Sequence, residues 1–179
     1  MAVTIDGSAS VTINSGAVLG ITSGTAVAST SGTSINFTGL PSWIKRITVM
    51  FNGVSTSGTS EVQIQTGTSG GIQATGYSGT ATTLTSVGNV TVALSAGFQM
   101  PTNGGGAAYV RQGAITLSLF DSSTGTWACT GIFGQSDSQR MSFIGGTKAL
   151  SGTLDRVRIT TVNGTDTFDA GSINILYEG

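Results

Sequence analysis

The feature that most constrains this chain is the period of two in its last thirty residues. In Leu154-Asp155-Arg156-Val157-Arg158-Ile159-Thr160-Thr161-Val162, polar and apolar side chains alternate around Val157 and Ile159. Ser172-Ile173-Asn174-Ile175-Leu176-Tyr177 repeats the pattern around Ile173 and Ile175. Successive Cβ atoms of a strand point to opposite faces, so this spacing specifies half-buried strands. Asn163-Gly164 lies between the two runs, and both residues tolerate the positive φ that a tight turn demands. Upstream, Arg46-Ile47-Thr48-Val49-Met50-Phe51-Asn52-Gly53 echoes Arg158-Ile159-Thr160-Thr161-Val162-Asn163-Gly164, a weak internal repeat of strand plus turn. Both segments are expected as central strands of one β-domain.

Other short runs join them. Glu61-Val62-Gln63-Ile64-Gln65 alternates, and Val87 to Leu94, Ala114 to Phe120 and Gly125 to Phe133 are further strand candidates separated by Gly- and Ser-rich turns. Pro41 bars ladder pairing ahead of Trp43, which opens the strand running to Phe51. No window carries a helical period with caps, and only Ser138 to Phe143 would tolerate a helical turn. The expected fold is all-β: one antiparallel β-sandwich, jelly-roll-like, over residues 31–179. Its core is expected around Ile47, Val49, Phe51, Leu117, Leu119, Trp127, Val157, Ile173 and Ile175. Residues 1–30 are nearly all small and bring too little apolar area to fold alone. They are expected as an extended N-terminal arm, lying along the main domain or a neighbouring subunit.

Composition narrows the function. The 179 residues include only 7 basic and 8 acidic side chains, with no His and a net charge of −1. That balance gives no field for nucleic acid or an anionic membrane, and no stretch reaches the ~20 apolar residues of a membrane helix. The 28 Gly and the many Ser and Thr could mean a disordered linker, but 38% hydrophobic content and aromatics spread along the chain support burial. Cys129, the single cysteine, cannot form an intramolecular disulfide and reads as a buried small hydrophobe beside Trp127. Met1-Ala2-Val3-Thr4-Ile5-Asp6 has neither a basic nor an apolar signal region, so synthesis in a cytoplasm is expected.

Catalytic constellations are weak. Gly67-Thr68-Ser69-Gly70-Gly71 matches a nucleophile-elbow pattern, but that motif needs a strand-to-helix turn and a His to accept the proton. Asp166 and Asp169, near Asn163, could share a Ca²⁺, or cap a turn through their own backbone, the commoner use of Asp in such connections. Glycoside hydrolysis needs two acids at a defined separation, and the scattered acids give no reason to expect it. Lys148, Arg156 and Arg158 read as a solvated strand face. No catalytic residue, cofactor or metal is therefore expected. From Val62 to Val110 there is no charged residue, which fits either a surface kept soluble by Gln, Thr and Asn or a face against another subunit. Phe98, Met100 and Tyr109 would suit such a face. Tyr77, Phe98, Tyr109, Arg111 and Arg140 are the candidate binding residues, on loops or an interface.

Two long runs carry a resemblance. Phe37-Thr38-Gly39-Leu40-Pro41-Ser42-Trp43-Ile44-Lys45-Arg46-Ile47-Thr48-Val49-Met50-Phe51 resembles a segment of tail-fibre-type structural proteins of tailed phages and prophages, and so does Leu150 to Ile175. With turns such as Asp121-Ser122-Ser123-Thr124-Gly125-Thr126-Trp127, the likeness covers about residues 25–179 and carries no catalytic residues across. It implies a C-terminal β-domain of a fibre or receptor-binding protein: a non-enzymatic virion protein contacting a host-surface carbohydrate or protein. A homotrimer is expected, in which residues 1–30 contact an adjacent subunit and other virion proteins of the tail or capsid. With no long shaft ahead of the domain, a decoration or cement protein on the capsid is the alternative expectation. A carbohydrate-active enzyme on the same scaffold is a distant third.

Overall fold

The computed structural model describes residues 11–13, 16–18, 20–86, 88–102, 107, 109–137 and 139–179. Its regular elements are all strands, paired antiparallel throughout. In chain order they are β1 (Val11–Ile13), β2 (Gly16–Val18), β3 (Thr22–Ser23), β4 (Val27–Ala28), β5 (Ser34–Phe37), β6 (Arg46–Thr56), β7 (Val62–Thr68) and β8 (Gly71–Ile72). Then follow β9 (Tyr77–Thr85), β10 (Gly88–Ala93), β11 (Phe98–Met100), β12 (Arg111–Asp121), β13 (Thr126–Gln135), β14 (Arg140–Ala149), β15 (Arg156–Thr161) and β16 (Phe168–Glu178).

A large sheet has the order β10-β9-β14-β13-β12-β6-β16-β3, with β4 also on β16. A smaller sheet has the order β11-β7-β15-β5, with β8 on β7. The two pack face to face over a single core. Ile47, Val49 and Phe51 of β6, Leu117 of β12, Trp127 of β13 and Ile173 and Ile175 of β16 bring one side, and Ile64 of β7 and Val157 and Ile159 of β15 bring the other. The protein is thus an antiparallel β-sandwich, as the period of two requires. Of the expected core, only Leu119 sits at its margin, partly buried.

The echoed segments, β6 and β15, are both interior strands, one in each sheet. Asn163-Gly164 accordingly does not close a hairpin. Gly164 donates its N–H to the Thr161 carbonyl (3.1 Å), and the chain crosses from the small sheet to the large one before β16 begins. β16 bulges at Ala170, where Gly171 at φ +90° packs against the Gly53 carbonyl and leaves no room for a Cβ.

Two expectations need correction. The helical turn tolerated over Ser138 to Phe143 does not form at Arg140 to Phe143, because β14 begins at Arg140 and pairs along its length with β13 and β9; Ser138 lies outside the described residues. Trp43 precedes its strand, in a turn closed by the Ile44 N–H on the Pro41 carbonyl (3.2 Å). Of the two surroundings expected for the arm, Gly20 to Ser29 take the main domain: β3 and β4 pair with β16, Gly24 donates to the Ile175 carbonyl (2.8 Å), and buried Ser29 bonds Ala170 and Gly171. Small side chains let this segment lie flat on the β16 edge, so its partner is its own chain. β1 and β2 pair with each other, and Met1 to Ser10 lie outside the described residues.

Candidate functional site

The strands run between two ends. At the end holding Arg46, Thr68, Asp121, Thr126, Ala149 and Glu178, the connecting loops are rich in Ser, Thr and Gly and also carry Lys45 and Asp155. At the opposite end sit Glu61, Arg111, Asp137, Arg140 and Asp166.

Three of the expected binding residues meet at the charged end, where they form a lock. Arg111 is 1% exposed, donates to the Tyr109 carbonyl (3.1 Å) and faces the Glu61 carboxylate at 3.9 Å. Burial lowers its pKa, and Glu61 and Asp137 partly offset that. Glu61 accepts the Thr102 N–H (2.9 Å) and hydroxyl (2.7 Å). Arg140 donates to the Thr102 carbonyl and lies over the Tyr109 ring, 4.6 Å from its centre. Asp137 accepts the Val110 N–H (3.1 Å). These contacts fasten the segment before β12 to the sheets.

Tyr77 and Phe98 are core residues, contrary to the loop or interface role expected of them. Phe98 has no exposure, Met100 beside it has none, and the Tyr77 and Phe98 rings meet edge to face at 4.9 Å. β9 and β11 turn these side chains inward, so the gap between the sheets takes them. The Tyr77 hydroxyl accepts the Thr66 N–H at 2.7 Å. Burial raises its pKa above the ordinary tyrosine value. A folded pKa above the unfolded one gives stability that is complete below about pH 10 and declines as pH rises toward the folded pKa. Tyr77→Phe is therefore expected to flatten the loss of stability above about pH 10 in urea titrations. An unchanged alkaline slope would count against that ionisation.

The charge-free span has a mixed explanation. Val62 to Gly67 are all buried, with Gln65 donating to the Ala96 carbonyl (2.9 Å) and Gln63 to the Thr161 carbonyl (3.4 Å), so charge is excluded there by burial. β10 of the same span is exposed. Lys148 does not belong to a solvated face: it is 6% exposed, donates to Gln73 Oε1 (3.2 Å) and the Ala149 carbonyl (2.6 Å), and lies 5.6 Å from the Tyr77 ring centre.

Asp166 accepts Asn163 Nδ2 (2.7 Å) and the Ser60 N–H (2.9 Å), which hold its pKa below the usual carboxylate range. Its carboxylate occupies the space a Cβ on residue 58 would need, so a larger residue there would displace it. Asp169 accepts the Ser55 hydroxyl. Neither carboxylate caps its own turn: Asn163 Oδ1 does so, accepting the Thr165 (3.0 Å) and Asp166 (3.2 Å) N–H groups, and among the described residues no three His, Cys, Asp or Glu group as metal ligands.

The loop end holds a cleft of about 290 Å³. Ile44, Leu119, Trp127, Leu150 and Leu154 form its floor, and Ser42, Lys45, Ser122, Ser123, Thr124, Ser151 and Thr153 its rim. A second hollow of about 430 Å³ continues across the Ser151–Leu154 loop to Leu40, Thr68, Ser69 and Asp155. The walls are tied in place. Asp121 accepts the Ser123 N–H (2.8 Å) and hydroxyl (2.7 Å), Leu150 donates to the Gly125 carbonyl (3.0 Å), and Asp155 to the Gly67 carbonyl (3.0 Å). Arg156 bonds Asp155 (2.8 Å) and the Ser69 carbonyl (3.0 Å).

This cleft offers hydroxyls, main-chain groups and one cation over an apolar floor, a set suited to a neutral polyhydroxylated ligand. It is poorly furnished for hydrolysis. The hydrogen bonds from Ser123 lower the Asp121 pKa, whereas a general acid needs a raised one. Ser69 sits between β7 and β8, a strand-to-strand turn, in a chain without His. Glu61, Thr102, Gln73 and the cleft rim were missed by sequence reasoning, since turn-type residues look alike whether or not they line a cleft. No family model, curated protein or solved structure matches this chain.

Proposed function

We propose that this chain is a non-enzymatic structural protein of a tailed-phage virion, a tail-fibre-type or receptor-binding domain that meets the host surface through the loop end of its sandwich. The observation that carries the reading is the cleft of Ser42, Lys45, Ser122 to Thr124 and Ser151 to Thr153: a hydroxyl-rimmed recess with a single cation, on tied loops at one pole of the β-scaffold. Its ligand class is a surface carbohydrate, whose hydroxyls match the rim and whose ring faces match the apolar floor. The resemblance of Phe37 to Phe51 and of Leu150 to Ile175 to fibre-type segments supplies the virion context.

The test is retention of purified lipopolysaccharides and capsular polysaccharides from a panel of bacteria on the immobilised protein. Wild type is expected to retain at least one glycan. Thr124→Trp, which fills the cleft from an exposed rim position, should weaken retention about tenfold or more without changing the circular dichroism. Absence of retention across the panel, with antibody labelling of the virion head, would replace this reading with capsid decoration. Release of reducing ends from a retained glycan would replace it with the enzyme.

A further inference from the structure

We infer that the exposed edge strand β10 is a docking site for a second copy of this chain, which adds its own β10 antiparallel across a two-fold axis at Thr91. The inference stands independently of the virion reading, because it follows from the sheet edge alone.

β10 ends the large sheet, and among the described residues only β9 pairs with it. Open edges of natural sheets are normally blunted by charge, proline, a bulge or brevity. The other edges here follow that rule. β3 and β4 are two-residue strands, β11 has three residues, and β5 is crossed by Arg158 donating to Asn36 Oδ1 (3.1 Å). β10 has none of these devices: Gly88-Asn89-Val90-Thr91-Val92-Ala93 is uncharged, free of proline and paired with Thr85 to Thr80 without a register shift.

Its geometry also selects the occupant. Leu94 donates to the Gly79 carbonyl (3.0 Å), so the even-numbered residues point their N–H and C=O groups toward β9. Asn89, Thr91 and Ala93 then direct theirs outward. Antiparallel pairing joins outward-directed residues in register, and a two-fold at Thr91 sets Thr91 against Thr91 of the second copy and Asn89 against its Ala93. That register places Val90 opposite Val92 of the second copy on the inner side, where Val92 already packs against the core. On the outer side the two Thr91 hydroxyls meet, as Thr91 and Thr82 already do across β10 and β9 at 2.9 Å. No charge opposes another, since Val62 to Val110 contains none. The strand is thus complementary to itself in one register. The support for a threefold arrangement through residues 1–30 is reduced, because Gly20 to Ser29 pair with their own β16.

A contact made mainly by one six-residue strand from each copy is smaller than a standard interface, so the dimer is expected to dissociate in the micromolar range. Sedimentation velocity of the full chain should show monomer converting to dimer as concentration rises. Thr91→Lys sets two like charges face to face and should weaken the dimer at least about tenfold, with an unchanged circular dichroism spectrum. An equimolar mixture of Thr91→Lys and Thr91→Glu should recover it. Thr91→Cys should cross-link under mild oxidation, because the directly opposed Cα atoms lie about 5.5 Å apart, within the range a disulfide spans. Asn89→Cys, opposite Ala93, should not cross-link. A wild-type chain that stays monomeric throughout overturns the inference. So does a dimer indifferent to Thr91→Lys, or one that cross-links through Asn89→Cys and not through Thr91→Cys.

Discussion

Phe98→Ala is expected to lower the stability of the domain by about 3–5 kcal/mol, and the melting temperature by ~10 °C. The ring has no solvent exposure and stands edge-on to Tyr77 at 4.9 Å, a contact between β11 of the small sheet and β9 of the large one. Truncation removes the transfer energy of the ring and leaves a cavity at the junction of the sheets. β11 is only three residues long and pairs with β7 alone, so little main-chain structure remains to hold it in place. The matched control is Phe120→Ala. That ring is 77% exposed, and its loss should change stability by no more than about 0.5 kcal/mol. Urea unfolding of the two variants decides the matter. Equal effects would mean that Phe98 does not hold the sheets together.

The contrast between these two phenylalanines also shows what the sequence can disclose. β6, β12, β13, β15 and β16 are legible because their inward positions carry Ile, Val, Leu and Trp while most outward ones carry polar or small groups, Phe120 and Ile132 excepted. β14 blurs that code, with only Ile144 as an inward apolar residue of ordinary kind. Ser142 and Lys148 face inward beside it, and Met141 and Phe143 are exposed on the outer side, so the hydrophobic pattern does not single out one face. Ser142 can be buried because its hydroxyl bonds Thr83 (2.8 Å) and the Pro101 carbonyl (3.1 Å), partners far away in sequence. β7 hides in another way: it is covered on both faces, and buried Gln63 and Gln65 look like surface residues until their carbonyl partners are known.

The candidate sites divide along the same line. Arg111 and Arg140 were legible as unusual residues in a charge-poor chain, but their role depends on Glu61 and Thr102, which sequence distance conceals. The cleft was illegible for the opposite reason. Its rim is made of the same Ser, Thr and Gly that fill every other turn, and only the convergence of loops before β6, after β12 and after β14 sets them around one recess.

Glu61→Ala is expected to destabilise the protein by about 3 kcal/mol, more than any other single charge removal at the polar end. The reason is what remains. Arg111 would keep its place at 1% exposure with the Tyr109 carbonyl as acceptor and only Asp137 left to offset its burial, while its Nε already lacks a hydrogen-bond partner. The Thr102 N–H and hydroxyl would lose their acceptor in the same step. The low end of the range for breaking a buried pair applies, because the Glu61 side chain is 18% exposed and 3.9 Å from the guanidinium. Removing the cation instead should be milder. Arg111→Met fills the same space with an apolar chain and leaves Glu61 hydrogen-bonded to Thr102 and partly in water, so less than half the Glu61→Ala effect is expected. Combining Glu61→Met with Arg111→Met should then cost less than the sum of the two, the signature of a coupled pair in urea unfolding. Glu61→Gln separates the two contributions, since it keeps an acceptor for Thr102 but withdraws the charge. A Gln variant as stable as wild type would assign the whole effect to the Thr102 hydrogen bonds and none to Arg111.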